Sequence, residues 1–450
     1  MSAASADGDG GGEPLRTGSL VVFADDWGRH PSSAQHLIAR LPARIPVLWV
    51  NTIGTRAMRF DAGSIRRALQ KLVQWLPFVT RADHGSADVE PGSGQVPSAP
   101  AFVADDELSP LVRAGRLQVV APIMWPGFAS AWSRRLNAWL LARQLAPRLA
   151  AMPAPLRVLT TLPLVADLPP RLPPAHWLYY CVDDFGVWPG YDGDTMRTME
   201  RDLVPQTTAS VAVSEHLVEH LRALGATAQC LTHGVDLAFW RRPMPIVPSG
   251  SDGLPDDRPL VCFWGVIDRR LDAAFVRALA ERLNGHAWLV LIGPREDPDP
   301  ALLALPAVRC LPAQPLSRLP SVAMRSAVLV MPYVDAPVTH AMQPLKLKEY
   351  LATDRPVVVR ALPATRAWTQ ACDVCSDADE FARVVLARLQ AGSAPREQLR
   401  AREALTGESW RAKSAWLADW IARNGGERAT GSGVSVGPVG VQDTIGHRHR

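Results

Sequence analysis

Lys346, Glu349 and Tyr350 stand at i, i+3 and i+4 in the run Gln343-Pro-Leu-Lys-Leu-Lys-Glu-Tyr-Leu-Ala352. That spacing puts all three on one face of a helix, while Leu347 and Leu351 bury the neighbouring face. Pro344 suits the first turn, where a missing N–H costs nothing. An ammonium near a helix start meets phosphate, and a carboxylate one turn on accepts hydrogen bonds from ribose hydroxyls. The chemistry open to this segment is recognition of a nucleotide. A solvated Lys–Glu pair on an ordinary helix has the same spacing, and spacing alone does not separate the two.

A second candidate begins at Gly265. It follows the apolar run Leu260-Val-Cys-Phe-Trp264 and precedes Asp268, Arg269 and Arg270; Leu271, Phe275, Leu279 and Leu283 then repeat at helical spacing. A strand, a glycine and a helix N-terminus make an anion site, because free N–H groups and the dipole point at the anion and glycine lets it come close. Arg269 or Arg270 would add a charge-assisted contact to a diphosphate. Every strand-to-helix unit has such a turn, so this one gains meaning only beside the first candidate. The fingerprint GxGxxG is missing, which argues against a nicotinamide enzyme.

The third candidate is a pair of carboxylates, Asp183 and Asp184, at the end of the run Trp177–Val182 and ahead of Phe185, Gly186, Trp188, Pro189 and Gly190. Open parallel sheets bind ligands at strand carboxyl ends. A carboxylate there could take the proton from an attacking hydroxyl, with Asp183 preferred to Asp184. The plain alternative is a loop aspartate that caps the next helix. Asp25, Asp26, His30, Ser32, Ser33 and His36 follow the first apolar run and would lie at the same edge, with Ser32 or Ser33 capping a helix and His36 facing the cleft or the surface.

The elements that must hold these groups alternate. Strand-like runs are expected at Leu20–Ala24, Val47–Val50, Leu117–Ala121, Arg157–Thr161, Trp177–Val182 and Ser210–Ser214. A second series follows at Leu260–Trp264, Trp288–Gly293, Val308–Leu311, Val328–Pro332 and Pro356–Arg360. Continuous apolar strands separated by helices mean parallel sheets covered on both faces, and two such series mean two doubly wound domains. Pro243, Pro245, Pro248, Gly250, Gly253 and Pro255 mark a linker. A Pro/Gly/Ser-rich insert at about 83–101 reads as a mobile loop of the first domain.

With those elements in order, Pro344-x-Lys346-x-x-Glu349-Tyr350-Leu351-Ala352 and the following Pro356-Val-Val358 resemble the donor-site motif of GT-B glycosyltransferases. They are most similar to the bacterial capsule and exopolysaccharide branch, of teichuronic-acid or xanthan glucuronosyltransferase type. Further pieces keep the family's order: Tyr179-Tyr-Cys-Val-Asp-Asp184, Glu200, Val211-Ala-Val-Ser-Glu215 with Leu217, and His233-Gly-Val-Asp236 with Phe239-Trp240. The resemblance covers roughly residues 19–422. It implies that Lys346 lies by the diphosphate and Glu349 by the ribose, that a first-domain aspartate is the base of an inverting transfer, and that the last helix, with Trp410, Trp416 and Trp420, crosses back onto the first domain. The family's first acidic position falls on Ala341 here, and adjacent arginines replace its separated Arg and Lys.

Composition excludes several classes. Apolar residues are 47% and charged residues 20%, and net charge is only +4, as in ordinary folded domains. No run of about 20 apolar residues occurs, and Met1–Gly12 has no basic head or apolar stretch, so no secretory signal is expected and a cytoplasmic location is. Six scattered cysteines are not a disulfide framework, and the CxxC pair Cys372 and Cys375 has no zinc-spaced partner, so packing is its expected role. Charge is uneven, however. Residues 56–81 hold six Arg/Lys and one acid, and residues 113–150 hold six Arg and no acid. Ile65, Leu69, Leu72, Val73 and Leu76, and then Trp132, Leu136, Trp139 and Leu140, make apolar stripes beside basic residues, a pattern shared by membrane-surface helices and by core-facing helices with solvated basic faces. No nucleic-acid module is recognisable.

The expectation is an α/β chain of GT-B type, with two doubly wound parallel-sheet (Rossmann-like) domains facing a cleft. Residues 1–17 form a disordered tail, 18–240 an acceptor domain, 241–258 the linker, 259–403 the donor domain, 404–423 the returning helix and 424–450 a second disordered tail. Gly265, Arg269, Arg270, Gln343, Lys346 and Glu349 would bind a nucleotide-sugar, and Asp183 or Asp184 would catalyse transfer to a glycan or polyprenyl-diphosphate-linked acceptor, with no metal and no cofactor beyond the donor. The anionic inner surface of the membrane is a further expected partner; nucleic acid is not. A nucleotide-sugar epimerase and a non-catalytic relative of the same fold are the alternatives.

Overall fold

The computed structural model describes residues 15–28, 32–52, 110–242 and 253–426. The basic stretch 56–81, the insert 83–101, His30, most of the expected linker and nearly all of both expected tails lie outside these residues.

Two sheets result, both parallel throughout. The first has the order β3-β2-β1-β4-β5-β6-β7, from β1 (Ser19–Ala24), β2 (Val47–Asn51), β3 (Leu117–Val120), β4 (Leu156–Thr160), β5 (His176–Cys181), β6 (Ala209–Ala212) and β7 (Ala228–Cys230). The second has the order β10-β9-β8-β11-β12-β13, from β8 (Leu260–Trp264), β9 (Trp288–Ile292), β10 (Val308–Leu311), β11 (Ser326–Met331), β12 (Val357–Arg360) and β13 (Asp373–Cys375). β1, β4, β6, β8 and β9 are buried along their whole length, as strands covered by helices on both faces must be. In each sheet the strand order reverses beside the first strand, between β1 and β4 and between β8 and β11, and ligands of doubly wound sheets enter at such points.

The eleven apolar runs all become strands, two of them with the expected ends and nine with an end shifted by one or two residues. The two unforeseen strands, β7 and β13, have three residues each and lie at sheet edges, too short to carry a pattern. β13 also accounts for the CxxC pair. Cys375 ends the strand, Cys372 precedes it, both are buried, and burial pushes both thiols up to about 12.

Three expected boundaries move. Leu15 is buried and its N–H bonds Pro42 O at 3.1 Å, so the folded chain begins before residue 18. At the other end, Arg157 is wholly buried in β4 and its Nε donates to Gly425 O at 3.0 Å, which fixes the chain past Asn424. Val235 and Trp240 pack into the second hydrophobic core, so the first domain's own core ends short of residue 240. The last helix, Trp410–Asn424, packs into the first core through Trp410, Leu417, Trp420 and Ile421, and Ser414 Oγ donates to Leu37 O at 2.6 Å. At about 2 kcal/mol for each fully buried large apolar side chain, this helix is a strong strap between the domains.

Candidate functional site

The helix Leu345–Leu351 follows β11 and presents Lys346, Glu349 and Tyr350 to the carboxyl end of β8. Tyr350 is buried; its hydroxyl accepts from Trp264 N at 3.1 Å, and its ring meets the Trp264 indole edge to face at 4.4 Å. Trp264 Nε1 donates to Glu349 Oε2 at 3.1 Å, and the indole stacks on Trp240 at 5.5 Å. Burial raises the Glu349 carboxyl; the Trp264 hydrogen bond and the charge of Lys346 oppose it.

Lys346 turns toward Gly265. Its ammonium bonds the Tyr333 hydroxyl and lies 4.5 Å from the centroid of Phe263 and 4.9 Å from that of Tyr333. A Cβ on Gly265 would run into Lys346 Nζ, and the φ of +137° at Gly265 is closed to most side chains in any case. Among the described residues no carboxylate pairs with Lys346. A partly buried cation among aromatic rings, over a backbone turn without a side chain, is a place where an anion is missing a competitor.

The turn differs from expectation in one respect. The next helix starts only at Ala273, and the Asp272 side chain already accepts from Ala274 N and Phe275 N at 2.9 and 3.2 Å. Asp272 thus takes up two of the first-turn N–H groups, and the helix starts eight residues past Gly265, so what Gly265 itself supplies is close backbone approach beside Lys346.

The two arginines part. Arg269 is exposed and pairs loosely with Asp297 at 3.4 Å. Arg270 is buried: Nε and Nη2 donate to Asp268 Oδ2 at 3.0 and 2.8 Å, and its guanidinium lies 4.8 Å from the Trp188 ring of the first domain. Gln343 precedes the helix, partly buried, with no side-chain hydrogen bond among the described residues.

On the first domain, β5 delivers Asp183 to the same gap. Asp183 keeps some contact with solvent, yet burial dominates and raises its carboxyl to about 7; the positive charge of Arg270 acts against that rise and Asp184 adds to it. A carboxylate poised there has the basicity suited to general-base work at neutral pH. Asp184 plays the local part: its Oδ1 accepts from Gly186 N at 2.9 Å and closes the turn. Behind β5, buried Glu200 accepts from the Tyr179 hydroxyl at 2.8 Å and pairs with His220 at 2.7 Å, so it braces the strand instead of entering the cleft.

Elsewhere along the first sheet, Ser32 caps the helix Ser33–Ala39. Asp25 accepts from Ser32 Oγ and Gln35 Nε2 at 3.0 and 2.8 Å, with burial raising it to about 6. His36 faces neither cleft nor surface; it is buried, stacked on Trp410 at 4.5 Å, and held well below its ordinary pKa by burial.

Direct contacts join the halves. Ser214 Oγ donates to Ala341 O at 2.7 Å, just ahead of the Lys346 helix. Gly234 must be glycine, since a Cβ there would come within 2.8 Å of Trp410. Tyr333, Phe263 and Trp188 were absent from the sequence candidates. Their signal was position: Phe263 and Tyr333 flank the carboxyl ends of β8 and β11, and Trp188 follows the aspartate pair.

No protein-family model matches this chain, and no curated protein matches it in sequence. Solved structures do. Sucrose-phosphate synthase from Thermosynechococcus elongatus is 12% identical, with a TM-score of 0.59 over 90% of this chain and 98% of that one. Anabaena HepE in complex with UDP-glucose is 10% identical, with a TM-score of 0.57 over 90% and 100%. A glycosyltransferase from Rickettsia africae is 9% identical, with a TM-score of 0.54 over 91% and 98%. At such identities likeness speaks for architecture, and the chain has the GT-B fold, two Rossmann-like domains set against each other.

Proposed function

We propose that this protein is a glycosyltransferase that moves a sugar from a nucleotide-diphosphate-sugar to a glycan or polyprenyl-diphosphate-linked acceptor in bacterial surface polysaccharide synthesis, at the inner face of the membrane. The observation that carries the reading is Lys346 over Gly265, a cation with no carboxylate in ion-pair contact among the described residues, beside a bare backbone turn. The diphosphate takes that position and Glu349, reached from Trp264, receives the ribose hydroxyls. Because one neighbour of the same fold holds UDP-glucose, UDP-sugars are the first donors to test.

Across the gap, Asp183 accepts the proton of the acceptor hydroxyl as that oxygen attacks the anomeric carbon and the nucleoside diphosphate leaves, which inverts the configuration. Arg270 keeps Asp183 from rising further and so keeps its ionised form available near neutrality. Closing the domains on the sugar excludes water from the same reaction. No metal step is required, since the Lys346 ammonium offsets the charge of the departing diphosphate. The test is donor consumption with and without a lipid-linked acceptor: a transferase forms a new glycoside only with acceptor, an epimerase converts donor without one, and a non-catalytic relative does neither.

A further inference from the structure

The helix Ala131–Ala150 buries Ser133, Asn137, Ala138, Leu141, Leu145 and Leu149 and turns the opposite face to solvent. That outer face carries Trp132 and Trp139, 61% and 50% exposed, with Arg135 and Arg143 exposed between and beyond them. Trp125, 44% exposed, meets Trp132 edge to face at 5.6 Å, and the Arg143 guanidinium lies 5.8 Å from the Trp139 ring. Three tryptophans left in water on one face are costly unless something covers them. The sequence expectation is thereby sharpened: the tryptophan stripe is the outer face of the helix, and leucines form the inner one.

What covers the face is set by its chemistry and place. Arg134 of this helix is already neutralised by Asp167 and Asp202, at 2.8 and 2.6 Å, but the exposed Arg135 and Arg143 pair with no carboxylate among the described residues, so the covering surface is negative. Tryptophan beside arginine suits the headgroup layer of a bilayer, where the indole body is apolar and its N–H is wet. The face is also rigid at its leading end. Trp125 follows the carboxyl end of β3, and Asn137 clamps that loop by accepting from Trp125 N at 2.6 Å and donating to Trp125 O and Gly127 O at 3.1 and 3.0 Å. Trp125 and Trp132 therefore stand at the ligand end of the first sheet, the end on which Asp183 lies.

We infer that the face formed by Trp125, Trp132, Arg135, Trp139 and Arg143 docks on an anionic lipid bilayer and holds the acceptor side of the cleft at the membrane surface. The inference rests on the proposed transfer to a lipid-linked acceptor for its purpose, but its evidence is this face alone.

The experiment is flotation of the full chain with vesicles of phosphatidylcholine alone or with about a third phosphatidylglycerol, at low and high salt. The protein floats with the anionic vesicles, and salt weakens the association. Arg135→Glu with Arg143→Glu lowers partitioning by about 30-fold or more, from about 1 kcal/mol for each basic residue lost near the surface. Trp132→Ser with Trp139→Ser lowers it as well, while both variants keep the wild-type melting temperature, since the altered side chains are exposed. Transfer to a soluble, lipid-free acceptor stays at the wild-type rate in both, which separates docking from chemistry. Failure to float with anionic vesicles at low salt overturns the inference, as does a pair of folded variants that float like wild type. Equal flotation on neutral vesicles overturns the anionic choice.

Discussion

Lys346 and Lys348 are two residues apart on one short helix and serve opposite sides of it. Lys346 leans over Gly265 between the rings of Phe263 and Tyr333. Lys348 is buried at the crossing of the two domains, bonded to Thr232 Oγ1 at 3.0 Å, to His233 O and to Glu408. The same helix therefore ties the candidate donor site to the joint about which the domains are arranged, and the two lysines should fail in different ways.

Lys346→Ala should weaken nucleoside-diphosphate binding by about 10-fold or more, the loss of one charge-assisted contact, with little change in stability. Calorimetric titration with UDP reads this directly. Unchanged affinity would remove Lys346 from the donor site.

Lys348→Ala should instead destabilise the fold by about 3 kcal/mol, because it strips Glu408 of one buried partner and leaves Lys413, at 2.9 Å, as the other. Equilibrium unfolding in urea measures the loss. A variant as stable as wild type would mean that Lys413 carries Glu408 alone.

The arginines give a test of their unequal placement. Arg270 acts against the rise of the Asp183 carboxyl, so Arg270→Ala should move the acid limb of the pH–rate profile from about 7 to higher pH. Arg269→Ala, at an exposed residue paired only loosely with Asp297, should leave the limb in place and change stability by less than about 0.5 kcal/mol. Equal shifts for both would contradict the geometry.

Asp183 also makes a stability prediction. Its folded carboxyl lies near 7, above the ordinary value of 3.8, so folding is penalised wherever the unfolded chain holds an ionised carboxylate there. The penalty is absent below about pH 4, grows as pH rises and levels off above about 7. Asp183→Asn should therefore melt higher than wild type at pH 8, with the gain fading towards pH 4 in parallel thermal scans. A gain that did not depend on pH would point to packing instead.

The fold was legible because buried parallel strands are continuous apolar runs; β7 and β13 were not, being short and at edges. The i, i+3, i+4 face of Lys346, Glu349 and Tyr350 was legible because helix periodicity is local. What periodicity cannot give is direction across the cleft. It left Arg269 and Arg270 equivalent, though one turns to Asp297 and the other to Asp268 and Trp188. It set a helix start close behind Gly265, because nothing in the spacing announced that the helix would begin only at Ala273. Tyr333 and His36 acquire their surroundings only from strand order and the returning helix, which join residues far apart in sequence.

The most direct test is proton NMR of the purified protein turning over a UDP-sugar with a polyprenyl-diphosphate-linked acceptor, following the anomeric signal of donor and product. The expected result is a new glycoside of inverted configuration, nucleoside diphosphate released with it, and a rate about 10²–10⁴-fold lower for Asp183→Asn with donor binding kept. A product of retained configuration, or an Asp183→Asn variant that transfers at the wild-type rate, would contradict it.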